Sequence, residues 1–207
     1  MTETTTRTRR SHAERRRLSQ KKLIESALSI ASEKGVSAAT FDAIGARAGY
    51  SRGLASQKFG SKRGFLNAVI DHLHEVRAQS QDYARLSKLN GLEALLTFVE
   101  THLQALVLRD DARAYFIFLA GTVAELNDLR SVFADSHDRA KYEIMELFAR
   151  GQKDGTIRPG IDAEAASLMI GSLVIGLSMQ ALTDPDMDLA RVVGETRSVL
   201  RASFASP

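Results

Sequence analysis

The side chains that could do chemistry are few and poorly spaced for it. The 207-residue chain has five histidines and no cysteine, which excludes disulfide scaffolds, thiol nucleophiles and cysteine zinc sites. His72 and His74 stand two apart, so on a helix they point to different faces and make poor joint metal ligands. Ser136, His137 and Asp138 are neighbours in sequence, whereas a hydrolase triad is assembled in space from separate segments; they read as surface polar residues. Asp110-Asp111 reads as the start of a helix, where carboxylates complement the dipole. Neither His-Glu-x-x-His nor Gly-x4-Gly-Lys-Ser/Thr occurs. The expectation is a protein that is not an enzyme, with no catalytic residue, no cofactor and no metal.

The residues whose types converge on one task are Arg52, Gln57 and Lys58, with Leu54 and Ser56 beside them. Arginine, glutamine and lysine reach base edges in a DNA groove and also hold phosphates. The surrounding charge agrees. Residues 1–66 carry 14 Lys and Arg against 5 Asp and Glu, and residues 67–207 carry 14 against 20, so a net of +3 hides a basic end on an acidic body. Such a polarity points to a polyanionic partner for the first part and another task for the rest. Composition alone leaves open a solvated charge run on a helical scaffold that binds nothing specific.

These residues must be positioned by helices. There are three prolines, and no run alternates with period two, so no strand is expected. Leu23, Ile24, Ala27, Leu28 and Ala31 form the stripe of a first helix that stops at Lys34-Gly35. Its start is open between a capping box at Ser11–Glu14 and a cap at Ser19. Thr40 caps a short helix with Phe41, Ile44 and Ala48 inward, and Gly49 ends it. Ser51 caps another, to Phe59, whose Ala55 and Phe59 face the core. Ser61 caps a long helix with Phe65, Leu66, Val69, Ile70, Leu73 and Val76 on one face, which the pattern carries to about Ser87. After a break at Asn90-Gly91, helices follow from Leu92 to Leu106, Asp111 to Glu125, Asp128 to about Gln152, Asp162 to Thr183 and Leu189 to Phe204, with a long connection at residues 151–160. The fold class is all-α, with about nine helices, four at the basic end and five in the body. Two short helices joined by Ala48-Gly49-Tyr50 make a helix-turn-helix over residues 40–59, the unit that lays its second helix in a major groove.

The spacing Gly35-x4-Thr40-x3-Ile44-x3-Ala48-Gly49-Tyr50-Ser51-x-Gly53-x5-Phe59-x-Ser61-Lys62-x2-Phe65-Leu66 resembles the DNA-binding domain of TetR-family transcriptional regulators. Asp154-Gly-Thr-Ile-Arg-Pro159 before an apolar helix extends the resemblance, which covers nearly the whole chain. It implies an all-helical homodimer that binds a palindromic operator in double-stranded DNA and is released, as a repressor, by a small apolar or amphipathic effector. By this resemblance Thr40, Ser51, Arg52, Gly53, Leu54, Gln57 and Lys58 meet DNA, and Lys62 holds a phosphate beside a helix N-terminus. Three positions depart from the family pattern, one of them Gln57, where a second aromatic is frequent. Ser56 stands where a tyrosine is usual, which puts that phosphate contact in doubt. Gly64 stands where an acidic residue is common, which is expected to weaken the helix cap.

The domain reading is a disordered basic arm at residues 1–10, a helix-turn-helix domain at 11–66, and an effector-binding and dimerisation domain at 67–207. Arg7, Arg9, Arg10, Arg15, Arg16 and Arg17 are expected to follow the minor groove or the phosphates. Residues 165–183 are uncharged. Their Gly, Ser, Thr and Gln content and the acidic flanks Glu164 and Asp184 argue against a membrane span and for burial on more than one side. Gly171, Ser172 and Gly176 would let a second copy approach, with Val192 and Val199 of the last helix completing a four-helix interface. Phe98, His102, Tyr115, Phe118, Phe133 and His137 are candidates for an apolar effector pocket with a few polar anchors. Residues 1–10 hold no apolar run, so no secretory signal is read and the cytoplasm is the expected location.

Overall fold

The computed structural model describes residues 11–124 and 129–207. Ten α-helices follow in order: α1 (His12–Lys34), α2 (Phe41–Ala48), α3 (Arg52–Phe59), α4 (Lys62–Ala78), α5 (Gln81–Leu86), α6 (Gly91–Leu108), α7 (Asp110–Ala124), α8 (Arg130–Asp154), α9 (Ala163–Thr183) and α10 (Leu189–Phe204). A single 3₁₀ turn, Val36–Ala38, joins α1 to α2. Among the described residues the count exceeds the expected nine by one. The stripe that seemed to run on to Ser87 breaks at Gln79-Ser80, where the Ser80 hydroxyl accepts from the Tyr83 N–H and starts the separate α5. A serine N-cap outbids continuity of the apolar pattern there. The expected helix edges at Glu125 and Asp128 lie outside the described residues, as do Arg7, Arg9 and Arg10 of the arm.

The first helix starts at Ser11. Its Oγ accepts from the Glu14 N–H at 3.1 Å, and the Glu14 carboxylate accepts from the Ser11 N–H at 2.7 Å, a complete capping box. Ser19 instead lies buried within α1, its hydroxyl donating to the Arg16 carbonyl. Helices α1 to α4 form the basic end, and α1 also packs broadly on α7. In the body α6 is the central helix, in contact with α8, α9 and α10, and Leu95, Leu96, Val99 and Leu103 along it are almost wholly buried.

The connection before α9 earns its length by holding three elements. The Asp154 carboxylate accepts from the Gly91 N–H and the Thr156 hydroxyl from the Leu92 N–H, closing the start of α6. The fully buried Ile157 lies over Gly151. The Arg158 N–H donates to the Phe204 carbonyl and the Ser206 N–H to the Thr156 carbonyl, so the end of α10 is pinned to the same loop.

Candidate nucleic-acid interface

The helix-turn-helix is built from its caps. Thr40 Oγ1 accepts from the Ala43 N–H at 3.2 Å and Ser51 Oγ from the Leu54 N–H at 3.2 Å. Between them Gly49 ends α2 in the left-handed region at φ 76°, a conformation that costs side-chain-bearing residues energy. The Gly49-Tyr50-Ser51-Arg52-Gly53 run has the Gly-x-Ser-x-Gly spacing of a nucleophile elbow. It joins two helices, not a strand to a helix, and its serine oxygen is engaged in the cap.

Burial divides α3 sharply. Ala55 and Phe59 face inward at 0% and 7% exposure, while Ser51, Arg52, Gly53, Ser56 and Gln57 are exposed and Leu54 and Lys58 half-buried. The Arg52 guanidinium lies 3.4 Å from the Asp42 carboxylate of α2. The Lys58 ammonium donates to the Arg16 carbonyl of α1 at 3.2 Å. Lys62 is exposed on the first turn of α4, beside its N-terminus. Arg47, at the end of α2, donates to both Glu33 carboxylate oxygens of α1 at 2.7 Å. That bond, with the Ser29 hydroxyl, pulls the Glu33 carboxyl down to about 2.

The departure at Gly64 has a structural cause. One arm of the cap is present, since Ser61 Oγ accepts from the Gly64 N–H at 3.1 Å, while the return arm that an acidic side chain would supply is missing, as the sequence leads one to expect. A Cβ on residue 64 would sit 2.1 Å from the Phe59 carbonyl oxygen, so only glycine lets α4 start this close to the end of α3. Phe41, Phe59 and Phe65 then form an aromatic cluster with centroid separations of 5.3–6.2 Å.

The pocket candidates divide into two groups. Phe118 packs its ring at 5.8 Å on Phe65 of the helix-turn-helix core. The others meet between α4, α6, α7 and α8. Tyr115 stacks edgewise on Phe133 and His137, and its hydroxyl donates to Ser136 Oγ, which also lies 3.1 Å from His74 Nε2. His102 stacks on Phe98 at 4.1 Å and its Nδ1 meets the Phe98 carbonyl. One turn of α4 beyond His74, Arg77 donates to Glu143 at 2.6 and 2.7 Å and lies 2.8 Å from His102 Nε2. Burial is the main cause that lowers His74 and His102 to about 4 and also lowers His137; the Tyr115 phenol is pushed up by the same cause. Ser136 is 3% exposed, so the reading of Ser136-His137-Asp138 as surface polar residues fails at its first member. Arg77 and Glu143 carried no sequence signal, and His74 and Ser136 none that joined them to this cluster, because their partners are up to 66 residues away.

The outer face of α9 is apolar and open. Leu168 and Met169 are 65% and 67% exposed, Ser172 and Gly176 are exposed and Gly171 half-buried, and a Cβ on either glycine would meet nothing. A shallow groove runs beside it along α10, lined by Leu173, Val192, Thr196 and Val199. By length and composition alone, α6 and α9 are apolar enough to cross a membrane.

Comparison with known proteins decides the family. Residues 23–69 match the bacterial regulatory proteins of the tetR family, and residues 91–205 match the C-terminal part of BetI-type transcriptional repressors. The chain belongs to the TetR family. Its similarity to the HTH-type transcriptional regulator CymR of Pseudomonas putida is 28% identity over 95% of this chain and 96% of that one. The fold is shared with NalD, the secondary repressor of the MexAB-OprM multidrug efflux pump in Pseudomonas aeruginosa (TM-score 0.69, 18% identity, 91% and 98% coverage). It is shared also with SmeT, solved as a triclosan complex (TM-score 0.73, 21% identity, 91% and 92% coverage). This TetR-family chain is a DNA-binding transcriptional regulator of the repressor type, not an enzyme. The all-α reading, with a helix-turn-helix in the N-terminal part, stands.

Proposed function

We propose that the protein is a cytoplasmic homodimeric repressor that holds a palindromic operator and releases it when a small apolar or amphipathic effector binds the body. The division is a basic arm at 1–10, a DNA-binding domain at 11–66 and an effector-binding and dimerisation domain at 67–207. The observation that carries the reading is the capped α2–α3 pair, which turns Arg52 and Gln57 outward beside Lys58 and Lys62 on the basic end. Arg52, Gln57 and Lys58 read bases or hold phosphates, Ser51, Gly53 and Leu54 bring the backbone close, and Thr40 and Lys62 touch phosphate.

One eight-residue recognition helix reads too few bases for specificity. Two copies about 34–36 Å apart read a palindrome. The open apolar face with Gly171, Ser172, Gly176, Val192 and Val199 supports a second copy as its cover, in place of a bilayer. Phe98, His102, Tyr115, Phe133 and His137 supply an interior of mixed aromatic and polar character for an effector, and the triclosan-bound state of SmeT supports a small-molecule ligand of that kind. Phe118, whose ring packs on Phe65, is the sixth residue of the proposed pocket. Release is a population shift: the effector favours a conformation whose recognition helices no longer match adjacent grooves.

The experiment is selection of bound fragments from random duplex DNA, which should yield one palindrome. Replacing Arg52, Gln57 and Lys58 together by alanine should abolish preference for it while the dimer stays folded. Equal affinity of the triple variant for that site would refute the assignment.

A further inference from the structure

The interior of the body contains an ion pair that the DNA-binding reading does not use. Arg77 stands on the last turn of α4, the helix that begins at Ser61 beside the recognition helix. Its guanidinium faces α8 and α6 at once, through Glu143 at 2.6 and 2.7 Å and His102 Nε2 at 2.8 Å. It lies over the rings of Tyr83 in α5 and Phe98 in α6 at 5.4 and 5.6 Å. Its Nε is buried and finds no acceptor among the described residues. The His102 Nδ1 lies 2.7 Å from the Phe98 carbonyl; donating there leaves Nε2 free to accept from Arg77, so the imidazole is fixed as neutral partner.

Further contacts tie α4 to α8 along its length: Arg63 donates to Ser131, the Arg139 guanidinium meets the Asp71 carboxylate at 3.4 Å, and His74 meets Ser136. Among these contacts between α4 and α8, Arg77–Glu143 is the part-buried bidentate charge pair, with side-chain exposures of 20% and 30%, and losing one partner leaves a part-buried charge uncompensated. Packing of apolar faces fixes a distance but tolerates sliding. A bidentate pair fixes an angle.

We infer that Arg77, clamped by Glu143 and His102, is the positioning residue that sets the angle of α4 and so the spacing of the recognition helices. This rests on the operator-binding reading above. Loss of the clamp frees the last turns of α4 from α8, and the error is carried along the 17-residue helix to α3. At about 1.5 Å per residue a small rotation at one end displaces the other by several ångströms.

The test uses the full-length protein and two measurements. In Glu143→Gln the carboxylate charge goes but the shape stays. Hydrogen exchange of the amides in the second half of α4 should quicken by at least about tenfold, with the far-ultraviolet spectrum and dimer mass unchanged. Affinity for the selected palindrome should fall by about tenfold, while affinity for random duplex at the same salt is unaltered. The double variant Arg77→Glu/Glu143→Arg, which restores a pair of reversed sense, should recover part of both. Unchanged exchange in α4 overturns the clamp whether or not any operator exists. Faster exchange with an unchanged ratio of operator to random-duplex affinity overturns its role in positioning. A parallel fall on both duplexes overturns it too, marking a general loss of fold. If the unaltered protein prefers no duplex, the operator reading fails, and the exchange result still decides whether Arg77 holds α4.

Discussion

Glu33 and Arg47 show what a single exposed pair does at the rim of the DNA-binding end. Both are solvent-accessible, so the pair is a modest source of stability, but it ties α1 to the last turn of α2. The Glu33 carboxyl is held near 2 against an ordinary 4.5. Its folded form therefore binds the proton less readily than the unfolded chain, and the stability it lends is complete above about pH 4.5 and disappears as the pH falls towards 2. Glu33→Gln should flatten the fall of the unfolding temperature across that window and change little at pH 7. Lys62 acts at the same scale. Lys62→Ala should weaken binding to every duplex, and the slope of log affinity against log salt should decrease by about one per subunit, as a salt titration would read.

At the scale of the element, close approaches decide what the helices tolerate. A Cβ on Gly91 would lie 2.1 Å from the Gly151 nitrogen, so α6 and α8 meet backbone to backbone at the loop that closes the start of α6. Gly91→Ala should destabilise the fold by about 1–3 kcal/mol or more through overpacking, measurable by urea denaturation, with the midpoint falling at constant slope. Much of this level was legible in the chain. Thr40, Ser51, Ser61 and Asp162 all cap where the local sequence placed them, because capping is settled within four residues, and Ser11 is the cap of the two that the sequence left open. The break before α5 was not, since Leu73 and Val76 continue the apolar stripe up to it. Gly64 read as a lost acidic residue because the Phe59 carbonyl that requires it becomes a neighbour only when α3 and α4 fold together. The Arg77–Glu143–His102 cluster was illegible for the same reason at longer range: three separate helices supply it.

Among the described residues an uncovered apolar surface lies on α9 and α10, with Leu168, Met169 and Val199 exposed. In a single chain Gly176 borders open space, so Gly176→Glu costs no packing there. Across a two-fold axis it would place two like charges in a buried seam. Sedimentation should find this variant monomeric and folded, and its operator affinity should drop by a factor of about 100 or more as two linked half-site contacts become one. Survival of the dimer would move the interface elsewhere.

The Phe65–Phe118 contact and the broad packing of α1 on α7 mean that the core of residues 11–66 is continued into α7 and not closed on itself. A fragment cut at residue 66 would bare the ring of Phe65 and the flank of α1 to water. Chimeras that graft this reading head onto a sensor from another regulator must therefore import the matching surface of α7 with it, or accept a head that is soluble only while attached to its native neighbour.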